Sequence, residues 1–148
     1  MSLAIVLDAG PLGLVTQRRA LPEREACRQW IDARLHSGCR VLIAEIADYG
    51  VRRELLRMRK STSLARLDVL CETLEYLPIT TEAMRRAAQF WAEARRSGRP
   101  TADRHALDSD VILAGQASTM GITNVVVATT NVAHLSRFVP AKPWNEIG

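Results

Sequence analysis

The chain is poor in several things that would each have settled its class. Its 148 residues hold three cysteines, Cys27, Cys39 and Cys71, odd in number and without a CxxC pair or a patterned His, so neither a disulfide framework nor a zinc site is indicated. They read as small buried or half-buried thiols. No apolar run approaches the roughly 20 residues that span a bilayer, and the first residues lack the basic start and long apolar middle of a secretory leader, so a cytoplasmic protein without membrane contact is expected. Repeats and low-complexity segments are missing too. Lysine is nearly absent: 2 Lys stand beside 18 Arg, against 16 acidic residues. The resulting charge of +4 is therefore carried by guanidinium groups, which pair bidentately with phosphate oxygens, although Arg-for-Lys usage can equally reflect genome composition. What is present in quantity, 47% hydrophobic residues, suits one globular domain over 1–148 with a substantial core.

The apolar residues come in short bursts. Ala4-Ile5-Val6-Leu7 precedes Asp8 and the break at Gly10-Pro11, Val41-Leu42-Ile43-Ala44 precedes Glu45, and Val125-Val126-Val127-Ala128 precedes Thr129-Thr130-Asn131. Four apolar residues in a row fit a strand buried on both faces, and Pro11 and Pro22 can open helices. Helical periodicity follows at Cys27, Trp30, Ile31 and Leu35 up to a Gly38 stop, then over Ile46 to about Met58 and Ser61 to Glu75. Leu77-Pro78-Ile79 reads as an edge strand. Thr80 or Thr81 caps a helix with Met84, Ala87, Ala88 and Trp91 on one stripe, Trp91 being core rather than a base-stacking platform. Thr101 to His105 reads as a loop, with Asp108 capping a helix from Ser109 to Met120, and a last edge strand is expected near Trp144 to Ile147. The alternation predicts a three-layer α/β/α domain around a mainly parallel sheet of four to five strands.

Function is expected at the carboxyl edge of that sheet, outside the strand ends. Asp8, Glu45 and Asn131 follow three strands, and Asp103, Asp108 and Asp110 lie within the loop and first turn of the helix that leads into the last of these strands. Asp8 alone could be a helix cap; several carboxylates converging on one edge suit a hard cation with oxygen ligands. Arg52, Arg53 and Arg57, with Arg59 and Lys60, form a basic cluster that is either a solvated face or an approach for a phosphate backbone.

In these blocks the chain resembles the PIN-domain nucleases, and in particular the VapC-like toxin ribonucleases of prokaryotic toxin–antitoxin pairs. The resemblance is carried by Leu7-Asp8, by Ile46-Ala47-Asp48-Tyr49-Gly50-Val51-Arg52-Arg53-Glu54-Leu55, by Leu107-Asp108-Ser109-Asp110-Val111-Ile112-Leu113-Ala114-Gly115-Gln116-Ala117, and by Thr129-Thr130-Asn131-Val132-Ala133-His134-Leu135. It implies hydrolysis of RNA phosphodiesters with Mg²⁺ or Mn²⁺ held by Asp8, Asp110 and Asp108. It also implies catalytic roles for Asp8, Asp110, Asn131 and Glu45, support from Thr129 and Thr130, RNA contacts from Arg52, Arg53 and Arg57, a homodimer, and an antitoxin partner covering the cleft. Gly50 stands where the family carries a Glu, and Glu45 or Glu54 is the expected substitute. Two rivals compete with this reading. One is a PIN-like module that binds RNA or a protein without cutting; the other is a phosphotransfer enzyme with an Asp nucleophile, for which Gly10 replaces the second acid two residues on.

Overall fold

The computed structural model describes residues 2–17, 21–98 and 104–148, the last segment without side chains at 104–106. Its elements are β1 (Ala4–Leu7), α1 (Ala9–Thr16), α2 (Pro22–His36), β2 (Arg40–Ala44), α3 (Glu45–Arg57), α4 (Ser61–Thr73), β3 (Glu75–Leu77), α5 (Thr81–Arg96), α6 (Arg104–Ser118), β4 (Val125–Ala128), α7 (Val132–Leu135) and β5 (Ala141–Lys142), closed by a single 3₁₀ turn at Trp144–Glu146. The five strands form one sheet in the order β3-β2-β1-β4-β5, and every neighbouring pair is parallel.

The apolar bursts become the three central strands because each is covered on both faces: all four residues of β1 are fully buried, as are Ile43 and Val127. Leu7 lies opposite Ile43 on one side and Ala128 on the other. Their carboxyl ends are therefore level, and the strand order reverses around β1, the position at which open α/β sheets form a crevice. Pro22 opens α2, and Gly38, at φ 91°, takes the left-handed turn that stops it. Thr80 caps α5 by accepting from the Ala83 amide at 3.0 Å.

Three expectations need correction. The helix α6 starts at Arg104, so Asp108 lies inside it and caps nothing; Arg104 and His105 read as the end of a loop because they are polar. The first edge strand is Glu75–Leu77, before Pro78, and α4 has already ended at Thr73. The last strand is Ala141–Lys142, while Trp144–Glu146 forms the 3₁₀ turn, with Trp144 against Trp30 at 5.8 Å. The expected Asp103 site residue lies outside the described residues. The three thiols are free, Cys27 buried and the others half-buried, and Trp91 packs against the core.

Behind the sheet α5 and α6 approach so closely that a β-carbon at Gly115 would collide with the Ala83 carbonyl and crowd the Ala87 amide at 3.2 Å. One face of α6 is thereby fixed against α5. Gln116, 1% exposed, then points the other way into the core: it donates to the Leu77 carbonyl at 2.7 Å and accepts from the Ile46 amide at 3.3 Å. That one side chain ties together the ends of β3 and α6 and the start of α3.

Candidate active site at the carboxyl edge of the sheet

Asp8 leaves β1 and enters α1 in a single step. Its Oδ1 accepts from the Ala9 amide at 2.7 Å, the capping role expected of a strand-end Asp, but its Oδ2 is turned to the adjacent strand and accepts from the Thr129 hydroxyl at 2.7 Å. Thr129, fully buried, passes the order on: its Oγ1 accepts from the Asn131 amide at 2.9 Å, which shapes the turn into α7. Thr130 is exposed and lies against Gly10, where a β-carbon would come within 2.7 Å of its Oγ1. A side chain at position 10 would have to displace the exposed Thr130 side chain, and with glycine there the phosphotransfer reading has no second carboxylate.

Opposite Asp8, α6 brings Asp110, 8% exposed. Its Oδ2 is buried and without a hydrogen-bond partner; the His134 imidazole on α7 stands off, its Nδ1 3.5 Å away. Burial first, then the charge of Asp8, pushes the Asp110 carboxyl up to about 6, with His134 and Arg137 pulling the other way. Burial also raises Asp8, against the pull of the Thr129 hydroxyl and the Ala9 amide. Two desolvated carboxylates that oppose each other's ionisation, one with an orphaned oxygen, are a donor set suited to a hard divalent cation.

This arrangement has a signature in pH. Protons bind Asp110 more tightly in the folded chain, near pH 6, than in the unfolded one, near 3.8, so its contribution is complete below about pH 4 and is lost as pH rises through 6. Chemical denaturation of the metal-free protein is expected to show a stability gain of up to about 3 kcal/mol on acidification across that window, and Asp110→Asn should flatten it. A metal-free protein that loses stability on the same titration would contradict the paired-carboxylate geometry.

The other expected acids are placed elsewhere. Among the described residues no group of three or more His, Cys, Asp and Glu stands together to hold a metal. Glu45, the first residue of α3, accepts from the Ile79 amide at 2.7 Å and so fastens the loop after β3. Asp108 is two residues from Asp110, hence about 200° around the helix; it lies exposed beside Met84 and Trp91 of α5 and is turned away from Asp8. Asn131 is exposed and its side chain makes no capping bond. Glu54 is exposed and paired with Arg57 at 2.8 Å.

Position 50 is open: a β-carbon on Gly50 would meet nothing within 4 Å. Gly50→Ala is therefore expected to stabilise the chain by about 0.5–1 kcal/mol in urea denaturation, the cost of glycine inside a helix; a loss of stability would show that the position is sterically filled.

Of the basic cluster, Arg52 is held between Asp48 at 3.1 Å and Asp68 at 2.7 Å, and Asp48 also accepts from the Tyr76 hydroxyl at 2.6 Å. That network fixes α3 to α4 and β3, so Arg52 is structural. Arg57 is exposed, and Arg53 lies over the Tyr49 ring at 5.1 Å, so both can reach a phosphate. Sequence reasoning missed His134, Arg137 and Gln116. The helical spacing of His134 and Arg137 just after Asn131 was the available signal for the first two; for Gln116 there was none.

No protein-family model matches the sequence, and no curated protein matches it. The fold does match. The structure of VapBC2 from Rickettsia felis bound to a DNA fragment from its promoter superposes with a TM-score of 0.75 at 13% identity, covering 96% of this chain and 99% of that one. VapBC-1 from nontypeable Haemophilus influenzae gives 0.67 at 17%, over 97% and 100%, and DNA-bound VapBC from Salmonella typhimurium gives 0.64 at 24%, over 96% and 98%. At these identities the likeness is one of fold, end to end.

Proposed function

We propose that this chain, which carries the PIN-like fold of the VapBC toxin–antitoxin structures, is a divalent-metal-dependent endoribonuclease and the toxin half of such a pair. The observation that supports it most is the half-buried Asp8 beside the buried Asp110 with its orphaned oxygen, set in the crevice where the strand order reverses. Asp8 and Asp110 would hold Mg²⁺ or Mn²⁺, which when bound lowers the pKa of a water and polarises the scissile phosphate. Thr129 and the Ala9 amide hold the Asp8 carboxylate in one orientation, and the exposed Asn131 would donate to a substrate oxygen. Arg137 puts positive charge near Asp110, and the His134 imidazole lies 3.5 Å from it, where an incoming phosphate would be met. Arg53 and Arg57 extend that reach along α3.

Partner binding is proposed on two faces. An antitoxin segment would cover the cleft at Asp8 and Asp110, and the open groove of about 630 Å³ between α1, α2 and α4, walled by Val15, Ile31, Ala65, Val69 and Leu70 and edged by Arg28 and Arg66, would take apolar side chains of the same partner. A second copy fits the smaller apolar hollow between α5 and α6 around Met84, Trp91 and Ile112. No described helix is long and apolar enough to cross a membrane.

The test is incubation of purified protein with structured and unstructured RNA in Mn²⁺, Mg²⁺ or EDTA. Cleavage with metal and none with EDTA is expected. The presence of two converging acids instead of four favours one other reading, a module that binds RNA without cutting; saturable RNA binding with no cleavage in either metal would select it.

A further inference from the structure

The thirteen residues of α3 carry the chain about 20 Å from the carboxyl edge to the opposite side of the molecule. There Arg59 adopts φ 55°, a left-handed conformation that glycine takes freely and a branched or long side chain takes at a cost. Lys60 follows, and α4 begins without a side-chain cap and without an acidic residue in its first turn. The first backbone bond of α4 runs from the Leu64 amide to the Lys60 carbonyl at 2.9 Å, so the amides of Ser61, Thr62 and Ser63 have no acceptor within the helix. These residues wall a cavity of about 470 Å³, with Arg24, Arg59 and Lys60 around it. Ser63 is 7% exposed, lines that cavity, and its hydroxyl has no hydrogen-bond partner among the described residues. Among the described residues neither Arg59 nor Lys60 forms an ion pair.

We infer that this cavity at the start of α4 is an oxyanion site that takes a phosphate monoester group. Three amides pointing along the positive end of a thirteen-residue helix suit an anion of any kind. The hydroxyls of Ser61, Thr62 and Ser63 add up to three further donors, more than the two oxygens of a carboxylate can engage but matched to the three terminal oxygens of a monoester. The two unpaired cations match its double charge. The group comes either from free phosphate or from the end of a nucleotide; the chemistry recognised is the same. No residue is shared with the Asp8–Asp110 pair, so the inference stands or falls apart from the nuclease reading.

The experiment titrates the full, metal-free chain with inorganic phosphate and with a nucleoside 5′-monophosphate at constant ionic strength, following backbone amide resonances and heat. Saturable binding in the millimolar range or tighter is expected, with the largest shifts at Ser61, Thr62 and Ser63. Arg59→Gly combined with Lys60→Gln should weaken it at least about tenfold, and Ser63→Ala several-fold. Arg59→Gly keeps the test clean, because glycine accepts φ 55° and folding is not at risk. Asp8→Asn should leave the affinity as it is. Tighter binding of the nucleotide assigns the site to a nucleotide end, and equal binding assigns it to free phosphate. The inference is overturned if no saturable shift appears at those amides, if the double variant binds as well as the parent, or if acetate competes as well as phosphate does.

Discussion

Asp110→Asn is expected to lower metal-dependent RNA cleavage by at least about 10²-fold, since removing even a group that only orients a metal ligand costs 10–100-fold. The same change should raise the thermal stability of the metal-free protein. In the folded chain Asp110 is desolvated beside Asp8, and its Oδ2 has nothing to accept from. A neutral amide of the same shape removes the opposed charge, and its NH₂ group can donate where the bare carboxylate could only accept. Asp8→Asn should act in the same direction on both quantities. Its stabilisation should be smaller, because Asp8 already accepts from the Ala9 amide and the Thr129 hydroxyl. Activity and melting temperature moving oppositely, on one preparation of each variant, is the mark of a binding site held against folding. Cleavage at the parent rate by a homogeneous Asp110→Asn protein would remove Asp110 from the reaction.

The largest effect on the fold is expected from a methyl group. Gly115→Ala should destabilise the chain by about 3 kcal/mol, because the new β-carbon meets backbone, the Ala83 carbonyl and the Ala87 amide, and backbone cannot turn aside as a side-chain end can. For a chain of this size that is a drop in melting temperature on the order of 6–12 °C. Set beside Gly50→Ala, the identical chemical change should have opposite signs at two helical glycines, one facing open space and one facing a neighbouring helix. A Gly115→Ala protein as stable as its parent would mean that α5 and α6 do not approach this closely.

What could be read in the sequence follows from how local each determinant is. The strands β1, β2 and β4 are legible because burial on both faces forces a continuous apolar run, and the run itself is the signal. The strands β3 and β5, three and two residues long, have no pattern of their own; they exist because Leu42 to Ala44 and Val127 to Ala128 offer them a ladder. The start of α6 was hidden by polar residues that suit a loop equally well. At the site, Asp8 could be placed from the end of its strand, whereas Asp110, the seventh residue of α6, was singled out by the family resemblance, since the helix start read from the sequence lay too late. Glu45 could not, since its orientation depends on the Ile79 amide, thirty-four residues on. Arg52 looked like an open cation for the same reason: Asp48 is one turn away in the sequence, but Asp68 arrives only when α4 folds back.

The central position of β1 also sets an order of events. Of the five strands β1 is made before the others; it is flanked on one side by β2, some thirty-five residues later, but on the other by β4, and Asp8 finds Thr129 across 121 residues of chain. Such non-local pairing slows folding, because the long loop must close before any contact rewards it. A nascent chain that has not yet released β4 from the ribosome therefore holds Asp8 with no hydroxyl to orient it and a first strand open along one edge. The orientation of Asp8 is a late product of translation, completed only after β4 and Thr129 have emerged.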